Sequence, residues 1–186
     1  MSATGSARPS PRRIVLVGFM GTGKSAVGVA LARLRGWGFL DMDRRIEERT
    51  GRSIAEIFRE RGEAGFLEEE ARLAVEEVAG LDHHVVAAGG GAFTVPATRE
   101  ALRAGAVTVW LRCDLATLLA RIPDDGSRPM AANRAIIPAL LAEREKAYRL
   151  ADVAVEASEG TPEEVARRVE EAIAGWSTAG TGEAAR

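Results

Sequence analysis

Gly18-Phe19-Met20-Gly21-Thr22-Gly23-Lys24-Ser25 decides how the rest of the chain is read. It matches G-x-x-x-x-G-K-[ST] in full, the phosphate-binding loop. Its glycines let the backbone turn tightly enough for consecutive N–H groups to converge on phosphate oxygens. The helix that follows adds its positive N-terminal end. Lys24 is placed to reach β- and γ-phosphates, and the Ser25 hydroxyl to ligate Mg²⁺. Composition strengthens the match: of 25 lysines and arginines, only Lys24 and Lys146 are lysines. Arginine is the default cation here, so a lysine at this position carries more information than any single arginine does.

The flanks supply the context that the loop requires. Ile14-Val15-Leu16-Val17 is a short apolar run that reads as a buried parallel strand. From Ser25 to Arg35, Val27, Ala30, Leu31 and Leu34 recur at helical spacing. Further out, Phe39-Leu40 suggests a second strand ending at Asp41. Arg44 to Ala79 is helical and charged, broken near Gly51 and near Gly62 to Gly65, and Ser53 with Glu56 forms a capping-box pattern. Strands are expected at His84–Ala88, Ala106–Leu111 and Asp152–Val155, and helices at Pro96–Ala104, Leu115–Arg121, Ala135–Leu150 and from Thr161. Alternating strands and helices predict an α/β fold: one domain with a five-stranded parallel sheet flanked by helices. Residues 1–12 read as a disordered tail, 13–176 as the domain, and 177–186 as a frayed tail.

Composition narrows the function classes. A net charge of -2 offers no basic face for nucleic acid, and no apolar run approaches the ~20 residues needed to span a bilayer. The single Cys113 excludes an internal disulfide and fits a reducing cytoplasm. It is expected to be a packed thiol. Glu68-Glu69-Glu70 reads as a solvated helix face.

Two further stretches carry chemistry. Asp41-Met42-Asp43 directly follows the second strand, and alternation along an extended segment would turn both carboxylates toward the phosphates. One aspartate near the metal and one on an acceptor hydroxyl would meet the needs of phosphoryl transfer. The bland alternative makes Asp43 a solvated N-cap of a helix starting at Arg44. Gly89-Gly90-Gly91 puts bare backbone at a third strand end, allowing close approach of a substrate and unusual φ angles.

With these elements in order, the chain resembles the shikimate kinase family. The likeness runs from Arg13 to about Trp176. It rests on the phosphate loop, Phe39 to Asp43, Thr50-Gly51-Arg52-Ser53-Ile54, Ile57-Phe58, Gly62-Glu63 with Phe66, Gly89 to Ala92, Arg128-Pro129, and Arg144 with Tyr148-Arg149. The resemblance implies a P-loop kinase that moves the γ-phosphate of ATP to the 3-hydroxyl of shikimate with Mg²⁺, as a cytoplasmic monomer. It implies nucleotide contacts from Gly21, Thr22, Gly23, Lys24, Ser25 and Ala26, with Arg121 near the adenine. Ser25 and Asp41 would serve the metal. Asp43 would orient or deprotonate the acceptor, with Gly89, Gly90 and Gly91 against its ring and Arg144 on its carboxylate. Arg128 would swing in on a mobile lid, about residues 122–134. Lys24, Asp43 and Arg128 are the catalytic candidates. For Arg121 and Arg144 the composition also permits a solvated helix face.

One position departs from the pattern. Where the family carries a second carboxylate-binding arginine, after the Phe of Gly-Glu-x-x-Phe, this chain has Leu67. A charged bidentate contact contributes about 2–3 kcal/mol, so its loss corresponds to roughly 30- to 150-fold in affinity. Three explanations stay open: Arg59 or Arg61 supplies the contact, Arg144 acts alone, or the acceptor is another polyol, sugar acid or cyclitol.

Overall fold

A computed structural model describes residues 11–122, 130 and 133–178. Residues 1–10 and 179–186 of the expected tails, and most of the expected lid with Arg128, lie outside the described residues.

β1 (Arg13–Val17) occupies the centre of a five-stranded sheet with β2 (Gly38–Asp41), β3 (His84–Ala87), β4 (Ala106–Arg112) and β5 (Val153–Glu156). The order is β2-β3-β1-β4-β5 and every pairing is parallel. The apolar run that starts at Ile14 explains the central place, because both of its faces are covered. Ile14 and Leu16 pack with Val27, Leu31, Val165 and Val169, on the side of α1 (Lys24–Arg35) and α7 (Pro162–Thr178). Val15 and Val17 pack with Ile46, Ile57, Phe66 and Leu102, on the opposite side. That second layer is built from α2 (Met42–Thr50), α3 (Ile54–Glu76), α4 (Pro96–Arg103) and α6 (Ile137–Tyr148), while α5 (Leu115–Arg121) follows β4. Arg13, at the edge of the apolar run, is itself buried and donates to the carbonyls of Leu81 and Ala104 at 2.7 and 2.6 Å.

The chain moves outward from β1 to β2 on one side, returns through β3, and crosses to β4 on the other. The carboxyl end of β1 is therefore a topological switch point, where ligands bind in open α/β sheets.

Several local expectations are sharpened. The Ser53–Glu56 capping box forms with both reciprocal bonds. Asp114 caps α5 by accepting from the Thr117 N–H at 2.8 Å. The break expected near Gly62 to Gly65 is confined to Gly62, whose φ of 69° and ψ of -172° kink α3, and the helix resumes through Gly65. α7 runs on to Thr178, past the expected limit at Trp176. Among the described residues no helix is long and apolar enough to cross a membrane.

Candidate active site

The phosphate loop links the end of β1 to α1. Gly23 caps α1 with φ 87° and ψ 18°, a left-handed conformation that disfavours other residues. A Cβ at Gly18 would come within 2.7 Å of the Leu111 carbonyl oxygen. The buried Thr22 hydroxyl donates to the Phe19 carbonyl at 2.9 Å. Lys24 Nζ donates to the carbonyls of Gly18 and Phe19, each at 2.8 Å. These bonds seat the ammonium beside a cavity of about 450 Å³ lined by Gly21, Gly23, Lys24, Ser25, Ala26 and Arg121, among others.

Asp41 ends β2 and caps α2. Its Oδ1 accepts from the N–H groups of Asp43 and Arg44 at 3.1 and 3.4 Å, and its Oδ2 accepts from the Ser25 hydroxyl. The alternative that cast Asp43 as the N-cap of a helix starting at Arg44 is therefore overturned. Asp41 is the cap, the helix starts at Met42, and Asp43 sits in its first turn. Both carboxylates still line the cavity, through a strand-to-helix corner rather than through strand alternation.

The juxtaposed Ser25 hydroxyl and Asp41 carboxylate are hard oxygen donors beside the phosphate loop, a fit for Mg²⁺, which keeps most of its shell as water and phosphate oxygens. Among the described residues no group of three or more His, Cys, Asp or Glu side chains forms a cage. The Ser25–Asp41 pair suits a metal whose remaining ligands are water and phosphate oxygens.

A second, narrower cavity of about 40 Å³ adjoins the first. Met20, Asp43 and Gly90 line both, so Asp43 stands at the junction. Beyond it the wall is formed by Glu63, Leu67, Gly91 and Arg144. The three glycines do not adopt positive φ angles, contrary to one expectation for them. Their constraint is close approach. A Cβ at Gly89 would overlap Glu70 Oε1, one at Gly91 would come within 2.7 Å of Leu67 Cδ2, and one at Gly90 would lie 3.1 Å from Arg144 Nη1. Tyr148, fully buried, donates its hydroxyl to the Gly90 carbonyl at 2.5 Å, and burial raises its phenol above the usual range.

Arg144 is not on a solvated helix face. Its side chain is 8% exposed, it donates from Nη2 to Glu63 Oε1 at 3.0 Å, and it lies 5.6 Å from the centre of the Phe19 ring. Arg121 is exposed, as the alternative expects, yet it is tied down, donating to the carbonyls of Ala157 and Ser158 at 2.9 and 2.7 Å and contacting the buried Cys113 thiol. Arg61 pairs with Glu68 and Glu69, each at 2.6 Å, and Arg59 is exposed; neither lines the narrow cavity. Arg144 is thus the arginine that lines this cavity among the described residues.

The acidic run is corrected as well. Glu68 is exposed, but Glu70 is fully buried and neither of its oxygens has a hydrogen-bond partner of ordinary geometry. Burial, then the neighbouring Asp43, holds its carboxyl well above the usual range, opposed by Arg144, Lys24 and the Ala92 amide. Sequence reasoning gave Glu63 and Glu70 no role in the site. The available signal was spacing: Glu63, Leu67 and Glu70 are four and three residues apart, which places them on one side of a helix.

The shikimate kinase family profile matches residues 20–174. The shikimate kinase of Halorhodospira halophila is 48% identical over 170 residues, covering 89% of this chain and 96% of that protein. Among solved structures, the shikimate kinase of Acinetobacter baumannii in complex with shikimate superposes with a TM-score of 0.85 at 34% identity, over 90% of this chain and 94% of that one. A gluconokinase from Sinorhizobium meliloti, 20% identical with a TM-score of 0.56 over 92% and 96% of the two chains, shares the fold alone. With a matched phosphate loop, the β2-β3-β1-β4-β5 sheet and relatives alike over nearly their full length, this chain belongs to the shikimate kinase family of ATP-dependent phosphotransferases.

Proposed function

We propose that this chain transfers the γ-phosphate of ATP to the 3-hydroxyl of shikimate, using Mg²⁺, with the residues placed above in specific roles. The supporting observation is the junction: Asp43 lines both the phosphate cavity and the narrower cavity that ends at Arg144. An acceptor anchored by a carboxylate on Arg144 would present its far-side hydroxyl at Asp43, next to the phosphate loop. Bringing the two reactants into one orientation is the main service that phosphoryl transfer asks of a protein.

The loop N–H groups and Lys24 would hold the β- and γ-phosphates. Asp43 would accept the hydrogen bond of the attacking hydroxyl and take its proton as the bond to phosphorus forms. Gly90 and Gly91 would admit the ring to within contact of the backbone. Ser25 and Asp41 would hold Mg²⁺, which when bound supplies charge neutralisation between the phosphates. By resemblance, Arg128 would close over the transferring group. The lone cysteine fits a reducing cytoplasm, and a net charge of -2 fits a small-molecule acceptor rather than nucleic acid.

Leu67 favours one second reading, a related polyol, sugar acid or cyclitol as acceptor, since it leaves Arg144 as the only arginine among the described residues lining the narrow cavity. Product analysis separates the two. Purified protein, Mg²⁺-ATP and shikimate should yield a monoester whose phosphorus couples, by NMR, to the proton on C3. Absence of product, or phosphate on another hydroxyl, would remove this assignment.

A further inference from the structure

We infer that Glu63 is a specificity-determining residue: its carboxylate competes with the acceptor's own for Arg144, so that only an acceptor bearing an anion enters the pocket readily. The inference rests on the proposed placing of the acceptor at Arg144.

The two partners are unequally held. The Arg144 side chain is 8% exposed, wedged between the face of Phe19 and the backbone of Gly90. The Glu63 side chain is 43% exposed and directly follows the kink at Gly62. The cation is therefore fixed and the anion has room to leave toward solvent. Leu67, one helical turn beyond Glu63, fills its side of the cavity with methyl groups against Gly91. Consequently no second arginine among the described residues of this cavity can keep Glu63 while Arg144 takes the acceptor. Sharing one guanidinium would set two carboxylates side by side, which like-charge repulsion disfavours.

Glu70 does not serve as the competitor. It is buried behind Gly89 and held toward its neutral form, whereas Glu63 is a partly solvated anion 3.0 Å from the guanidinium. Removing Glu63 without replacing its charge would leave the buried Arg144 unpaired, an unfavourable arrangement. A shikimate-like carboxylate repairs that loss and a neutral polyol does not. The pair thus selects by charge, in the manner of specificity built by penalising the wrong ligand.

The test uses the full chain and the variants Glu63→Gln and Glu63→Ala, with shikimate and its uncharged methyl ester as probes. Calorimetric titration and steady-state kinetics are run on each protein, with a thermal melt to verify folding. Both variants should bind shikimate about 3- to 10-fold more tightly, as expected for loss of a partly exposed competing pair. The gain should appear in KM rather than kcat. The ester, which in the wild type must displace the same anion without replacing its charge, should gain by a similar factor, and its remaining deficit against shikimate measures the Arg144–carboxylate contact. Unchanged or weaker shikimate binding in a folded Glu63→Gln would overturn the inference and make Glu63 a support for Arg144. Turnover by the wild type without any gain in the variants would sink the competition alone. If no protein bound shikimate, both the competition and the acceptor assignment would fail.

Discussion

Around Lys24 the cleft is walled by backbone, whereas around Arg144 it is walled by side chains. The phosphate end is built mainly from one continuous loop, Gly18 to Ser25, with Asp41 hydrogen-bonded to Ser25 and Ala88 and Arg121 at its margin. The acceptor end takes Asp43 from α2, Glu63 and Leu67 from α3, Gly90 and Gly91 from the turn after β3, and Arg144 from α6. A phosphate-binding surface of N–H groups can be specified by a few glycines and a lysine. A pocket for one particular acid needs side chains aimed from separate elements, and each can change without disturbing the others. Leu67 is such a position: the fold and phosphate loop are intact around it, and it leaves Arg144 as the arginine lining the narrower cavity among the described residues.

The contrast can be broken first at its strong end. Lys24→Ala should reduce turnover by about 10³-fold or more, the scale of losing a charge that stabilises the transferring phosphoryl group. Near-normal kcat in that variant would remove the phosphate-loop assignment. Arg128→Ala should lower kcat by roughly 10²- to 10³-fold while ATP binding, measured separately, changes little. Equal losses in both would argue against an arginine that engages only as the site closes.

At the acceptor end the expected effects are smaller. Leu67→Arg should lower the KM for shikimate by about 10-fold, a discounted share of a bidentate contact. Leu67 Cδ2 and Glu70 Oε2 both lie close to Gly91, so the new guanidinium would also meet the buried Glu70 carboxyl. A higher KM would mean that the pocket is shaped for a different acid. The smallest effect concerns Glu70. Its folded-state pKa is raised well above 4.5, chiefly by burial and then by Asp43. The folded protein therefore holds that proton more tightly than the unfolded chain does. The resulting stability is fully present below about pH 4.5 and is lost as pH rises through the folded value. Between about pH 5 and pH 8 the melting temperature of the wild type should fall relative to that of Glu70→Gln, at about 2–4 °C per kcal/mol for a chain of this size. A constant difference would contradict the burial effect.

Those same two ends differ in what could be read without coordinates. Strand positions, the parallel sheet and the phosphate loop were legible because each is encoded by consecutive residues: Ile14 to Val17 for a doubly covered strand, Gly18 to Ser25 for the turn. Asp41 and Asp43 were placed in the right cavity through the wrong geometry, since the helix starts one residue after Asp41 and the extended alternation does not continue. Glu70 was misread because charge normally signals exposure. Its burial depends on Gly89, nineteen positions away, offering no side chain to exclude it. The Glu63–Arg144 pair spans 81 positions and joins α3 to α6, which no local pattern reveals. Likewise, the bonds that hold Arg61 to Glu68 and Glu69 are visible only in the structure.

We propose that the cleft holds shikimate with Arg144 as its carboxylate anchor despite Leu67. The most direct measurement is ADP release by purified protein with Mg²⁺-ATP, titrating shikimate side by side with gluconate and a cyclitol. Saturable turnover is expected on shikimate and little on the other two. Turnover on gluconate or the cyclitol with silence on shikimate would contradict it, leaving the phosphate end of the cleft as described and the acceptor end reassigned.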